Sequence, residues 1–141
     1  MKRREARERF MQILFQMEAQ QDFSRAEQEQ FLKLYVEDAS QSEYFERMQC
    51  CVEEHLGEMD AKLEAASENW KISRFAKVDL AILRLAAAEI FYLDDIPDSV
   101  SVNEAVELAK RFGGEDSPRF VNGILGKLVR GKADETCDPR D

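Results

Sequence analysis

The side chains with the clearest chemistry lie near the two ends of this chain. Lys2, Arg3, Arg4, Arg7 and Arg9 crowd the first nine residues, against only Glu5 and Glu8. Guanidinium groups grip phosphates in a bidentate fashion and stack on unpaired bases. Arg3 and Arg7 are four residues apart and share a helical face, with Arg4 beside them. This pattern suits a polyanion. On the residues alone it better suits a solvated terminal helix whose arginines pair with Glu5 and Glu8, since basic termini are common.

The second cluster is Asp116, Ser117, Arg119 and Phe120. It falls where a polar connector runs into an apolar helix. Backbone N–H groups at a helix start favour anionic ligands, and an aromatic ring at the edge of the apolar stripe can stack on a base. The simpler alternative is an N-cap, a rim charge and a core aromatic. Catalysis has less support. Cys51 and His55 are four apart, but no third orienting group accompanies them. No phosphate-binding glycine loop, dinucleotide fingerprint or metal motif is present. With one histidine and no CxxC pair, a zinc site is not expected. Adjacent Cys50 and Cys51 are poorly placed to bridge each other, and three cysteines suit a reducing cytoplasm.

Helices must position both clusters. Only three prolines and six glycines interrupt the chain. The apolar periodicity predicts seven helical stretches and no strand. The first runs over 3–20, with Ala6, Phe10, Leu14 and Met17 marking a stripe that Ile13 widens. The second covers 25–36, with Phe31, Leu32 and Tyr35 inward. The third carries Tyr44, Phe45, Met48, Val52 and Leu56, and Gly57 is expected to break or kink it. A fourth carries Met59, Leu63, Ala66 and Trp70. The fifth, over 77–93, is apolar on most sides and should be the most buried. Within it Asp79 and Arg84 call for a wet edge or a buried pair. Glu89 reads as structural and, if buried, needs hydrogen-bond partners.

Ser101 and Glu104 have capping-box spacing for the sixth helix. Gly113 and Gly114 should end it by accepting a left-handed cap. Asp116 or Ser117 then caps the seventh, with Pro118 in its first turn. The expected fold class is all-α: a compact bundle of about seven helices in two packed subdomains over 1–131. Residues 132–141 are polar and aperiodic, predicting a disordered tail. No apolar run approaches the roughly 20 residues of a membrane span, and no signal peptide is visible.

The net charge of −9 opposes nucleic-acid binding only until it is mapped. Residues 22–70 hold 13 acidic and 4 basic side chains, so the remainder of the chain is neutral and its start is basic. A local basic site can therefore bind a polyanion while the acidic flank limits unspecific binding.

Three segments carry a family resemblance. Residues 102–110 (VNEAVELAK), Phe112-Gly113 and 120–125 (FVNGIL) resemble the C-terminal signature of the NusB transcription antitermination factors. Ala6-Arg-Glu8 and Gln12-Ile-Leu-Phe15 are similar to that family's arginine-rich first helix. Residues 78–89 followed by Ile96-Pro97 are similar to its central helix. The resemblance covers about 3–130.

It implies a non-enzymatic adaptor without cofactors. Such a protein binds single-stranded boxA RNA together with NusE, a small-subunit ribosomal protein. The complex helps RNA polymerase read through terminators, chiefly in ribosomal RNA operons. By the same resemblance the RNA-binding residues would be Lys2, Arg3, Arg4, Arg7, Phe15, Asp116, Ser117, Arg119 and Phe120. Phe15 stands where relatives can carry tyrosine. Asp79 would contact NusE. A cytoplasmic protein is implied, and a homodimer stays open because some relatives self-associate. Two rival readings remain. One is a helical protein-interaction module without an RNA role, and the other is a fragment of a NusB-domain ribosomal RNA cytosine methyltransferase.

Overall fold

A computed structural model describes residues 1–68 and 70–136. Six α-helices follow one another: α1 (Arg3–Gln20), α2 (Arg25–Tyr35), α3 (Ser42–Ala66), α4 (Lys77–Tyr92), α5 (Asp98–Phe112) and α6 (Ser117–Thr136). A single 3-10 turn, Ile72–Arg74, leads into α4. There is no strand among the described residues.

Helix α4 lies at the centre, against α1, α3, α5 and α6. Every residue from Asp79 to Ile90 is buried. Its near-continuous apolar sequence is the reason: with helices on all sides no wet face remains. Leu80, Ile82, Leu83 and Leu85 each contribute roughly 1.5–3 kcal/mol by leaving water. The α1 stripe (Ala6, Phe10, Ile13, Leu14 and Met17) is fully buried against this centre.

Several expectations need correction. Helix α3 runs unbroken through Gly57, so two expected helices are one. A helical glycine costs only about 1 kcal/mol relative to alanine, and the buried stripe of Val52, Met59 and Leu63 continues in register across it. The capping box at Ser101 and Glu104 is absent. Helix α5 begins after Pro97, and Ser101 lies buried inside it. Residues 132–136 belong to α6 rather than to a disordered tail, and the rest of that expected tail, 137–141, lies outside the described residues.

Two buried arginines tie the layers together. Glu89 of α4, 1% exposed, accepts a hydrogen bond from Arg7 Nε of α1 at 2.8 Å. The same oxygen, Oε2, accepts from the Tyr44 hydroxyl of α3, and Oε1 accepts from Ser101 Oγ of α5 at 2.8 Å. One carboxylate thus joins four helices. Burial works to lower the Arg7 pKa, but the Glu89 hydrogen bond and charge outweigh it and leave that pKa raised. Burial, reinforced by Glu89, pushes the Tyr44 hydroxyl well above its ordinary value, so it stays a donor.

The second arginine is Arg84, 3% exposed. It meets Asp60 of α3 through two 2.9 Å bonds and Glu18 of α1 through a third, with Phe23 under its guanidinium at 5.1 Å. Burial opposes ionisation of Glu18, yet the Arg84 contact holds its pKa below the ordinary carboxylate value.

Removing one member of a buried ionic cluster strands the others. Glu89→Ala is expected to cost about 3–5 kcal/mol, read as a lower urea midpoint. A change within about 0.5 kcal/mol, the range of an ordinary surface substitution, would show that the cluster does not hold the helices together.

Candidate nucleic-acid interface

The basic start of α1 divides once its partners are known. Arg7 lies in the core on Glu89, so its charge is not presented to a ligand. This corrects its place among the RNA-binding residues. Arg3 is half-buried, donating from Nε to Gln41 at 2.8 Å, with its guanidinium 4.5 Å from the Tyr44 ring centre. Arg4 is largely exposed and makes two 3.1 Å bonds to Glu104 of α5. Pairs this exposed are worth little and yield readily to a stronger anion. Lys2 is exposed.

Arg9 belongs to the basic start but not to the RNA-binding residues the resemblance implied, and it is the better placed cation. Its only side-chain hydrogen bond among the described residues is to Gln12 at 3.3 Å, and no carboxylate pairs with it. It lines a surface groove of about 430 Å³ together with Met11, Gln12, Phe15, Tyr35 and Phe112. Three aromatic side chains from three helices therefore meet beside an unpaired guanidinium. A signal for this was present, since Arg9, Gln12 and Gln16 repeat at helical spacing beside Phe15. Tyr35 and Phe112 reach the groove only through tertiary packing.

Phe112 also begins the connector to α6. Gly113 caps α5 in an extended conformation (φ −90°, ψ −175°), not the expected left-handed one. Its need for glycine is steric instead. A Cβ there would sit 2.5 Å from Ser117 Cβ and 2.9 Å from the Ala109 carbonyl oxygen. Ser117 is buried, and its hydroxyl accepts the Gly114 N–H at 2.9 Å. Ser117 therefore closes the connector and does not reach outward. The Asp116 carbonyl accepts the first α6 bond, from Phe120 N at 3.0 Å, and the Asp116 side chain is exposed.

Arg119 is exposed, and half-buried Phe120 meets Phe75 edge-on at 5.2 Å between ring centres. Both line a second notch, beside Trp70 and Lys127, rather than the Phe15 groove. The two sites are neighbours through the segment entering α4: Phe75 touches Phe120, and Val78 lines the groove.

Asp79 is 7% exposed, and one of its carboxylate oxygens is buried without a hydrogen-bond partner among the described residues. Its position in the first turn of α4 suits the helix dipole. Asp79, the residue expected to contact NusE, thus presents little surface and one carboxylate oxygen without a partner among the described residues.

The Cys51–His55 dyad also fails. His55 stacks on Tyr92 at 4.1 Å and faces Glu58 at 3.3 Å. Burial pushes the Cys51 thiol up to about 11, far from a thiolate nucleophile at neutral pH. No His, Cys, Asp and Glu cluster among the described residues could hold a metal ion.

The NusB family model matches residues 4–130. The transcription antitermination protein NusB of Acetivibrio thermocellus is 45% identical over 132 residues, covering 94% of this chain and 91% of its own. That of Alkaliphilus oremlandii is 46% identical over 129 residues, covering 92% and 94%. Among solved structures, T. maritima NusB superposes with a TM-score of 0.83 at 34% identity, covering 92% of both chains. A NusB bound to NusE and double-stranded RNA shares the fold, with a TM-score of 0.79 at 22% identity, covering 92% of this chain and 96% of its own. This all-helical chain belongs to the NusB family of transcription antitermination proteins.

The connector geometry gives a paired expectation. Gly113→Ala should destabilise by about 1–3 kcal/mol, because the added methyl displaces Ser117. Gly57→Ala, where nothing lies within 4 Å of the added Cβ, should stabilise by about 0.5–1 kcal/mol. Urea unfolding of both variants checks the signs, and two shifts of the same sign would refute the steric reading of Gly113.

Proposed function

We propose that this chain binds single-stranded boxA RNA together with NusE and supports read-through by RNA polymerase in ribosomal RNA operons. The action is binding, not catalysis. The observation that carries the RNA part is the groove of Phe15, Tyr35 and Phe112, with Arg9 at its rim and no carboxylate holding it. Aromatic faces take unstacked bases, and a guanidinium with no carboxylate partner takes phosphate without first breaking an ion pair. Lys2 and the loosely held Arg4 extend the cationic edge, with Arg119, Phe120 and exposed Asp116 on the neighbouring surface.

Family membership supports NusE as the partner. The long acidic helix α3 keeps the wider surface anionic, which favours a local RNA contact over unspecific binding. No helix among the described residues is long and apolar enough to cross a membrane, and a role in transcription supports a cytoplasmic location. The rival of a methyltransferase fragment has less support, since the matched relatives are NusB proteins covered over 91–94% of their length. Whether the protein self-associates is read from its sedimentation with and without RNA.

The test is anisotropy of labelled boxA RNA, with and without NusE, over a salt series. Arg9→Ala should weaken binding and make the log–log salt slope shallower by about 0.7, the value for one phosphate contact on a single strand. Phe15→Ala should weaken it about 5- to 100-fold at nearly constant slope. Equal affinity for a scrambled RNA would overturn the specificity, and an unchanged slope would remove Arg9 from the site.

A further inference from the structure

Trp70 stands out on this surface. It is the chain's single tryptophan and is 59% exposed. An indole left in water forgoes a large apolar burial. It forms one wall of the notch that Phe120, Ile124 and Gly123 complete, with Arg119 and Lys127 at the rim. The notch measures about 350 Å³. That is more than twice the roughly 150 Å³ cavity that holds a benzene ring. Phe120 packs edge-on against the buried Phe75 ring.

Charge tells what the notch suits. In a chain of net charge −9, residues 70–78 carry Lys71, Arg74 and Lys77 and no acid. Lys71, Arg74 and Arg119 are exposed, and none has an ion-pair partner among the described residues. One acid intrudes: Glu68, highly exposed, holds Lys127 at 2.6 Å. That contact lowers the Glu68 pKa. An exposed pair of this kind is easily exchanged for a phosphate. Exposed indole, packed phenyl and unpaired cations are the parts of a single-stranded nucleic-acid platform. The notch also adjoins the Phe15 groove through the segment from Phe75 to Val78.

We propose that the Trp70–Phe120 notch takes a base of the single-stranded RNA flanking the segment held at Phe15, with Lys71, Arg74 and Arg119 on its phosphates. The inference rests on the RNA-binding reading above. It makes the interface two adjacent platforms and assigns Trp70 a role in binding outside the core RNA element.

Because Trp70 is the only tryptophan, its emission reports the notch directly. Two RNAs serve as probes: boxA with single-stranded flanks, and boxA trimmed of them. Anisotropy of the labelled RNA and tryptophan emission of the full chain are read in the same titration. Flanked RNA should quench Trp70, and trimmed RNA should bind without quenching. Trp70→Leu should weaken flanked RNA about tenfold, leaving trimmed RNA and the thermal midpoint unchanged. Glu68→Gln, which releases Lys127 and removes the intruding acid, should tighten flanked RNA.

If flanked RNA binds with unchanged emission, and Trp70→Leu binds it as well as the parent, the notch proposal is overturned while the Phe15 groove stands. Quenching by NusE alone, with no further change on adding flanked RNA, would assign the notch to the protein partner and overturn the proposal too. If neither RNA binds, the broader RNA reading fails and this inference fails with it.

Discussion

A buried carboxylate governs how this molecule can present its charges. Glu89 lies at the centre of α4 and accepts from α1, α3 and α5 at once. A carboxylate in that position is unfavourable unless each oxygen is met by a donor, and here both are. Arg7 supplies the counter-charge, Tyr44 and Ser101 the remaining bonds. The result fixes the rotation of α1 about its own axis: with Arg7 inward, Phe15 and Arg9 line the surface groove. Arg84 imposes a second tie, from α4 to α1 and α3. Two buried ionic clusters are not the cheapest way to fill a core, since apolar residues of similar volume are often as stable. What they add is one specific arrangement of helices, and here that arrangement sets which side chains face solvent.

The distinction between engaged and unengaged cations follows. Arg7 and Arg84 are ionic parts of the core. Arg4 and Arg111 form an exposed ladder with Glu104 and Glu8 between α1 and α5. Arg25 and Arg47 are occupied with carboxylates of the acidic middle of the chain and its neighbour Asp95. Arg9, Lys71, Arg74 and Arg119 have no such partner among the described residues; Arg9 and Arg119 line the two aromatic sites, and Lys71 and Arg74 lie in the segment that follows Trp70. In an anionic protein, polyanion binding depends on where cations are left unpaired, not on how many there are.

Much of the fold was legible because the helix bounds follow apolar periodicity. The first helix spans 3–20 as expected, and the central helix is the buried one. Gly57 misled because a lone glycine is weaker than a continuing stripe. Ser101 misled because its capping spacing hides a different role. Its hydroxyl answers Glu89, twelve residues back, which no local pattern reveals. Arg7 was legible in retrospect. Residues 3, 7, 10 and 14 share one face, and Phe10 and Leu14 on it are core residues. Phe15 was readable as an aromatic beside the stripe, whereas Tyr35, Phe112 and Trp70 join their sites only through packing between distant segments.

The central claim is that Arg7 belongs to the fold and Arg9 to the ligand. Arginine side-chain Nε–H resonances, followed by NMR while boxA RNA is added, address it directly. The account predicts a protected Arg7 signal that stays put through the titration while the Arg9 signal moves. A rapidly exchanging Arg7 signal that shifts with RNA while Arg9 remains still would contradict it.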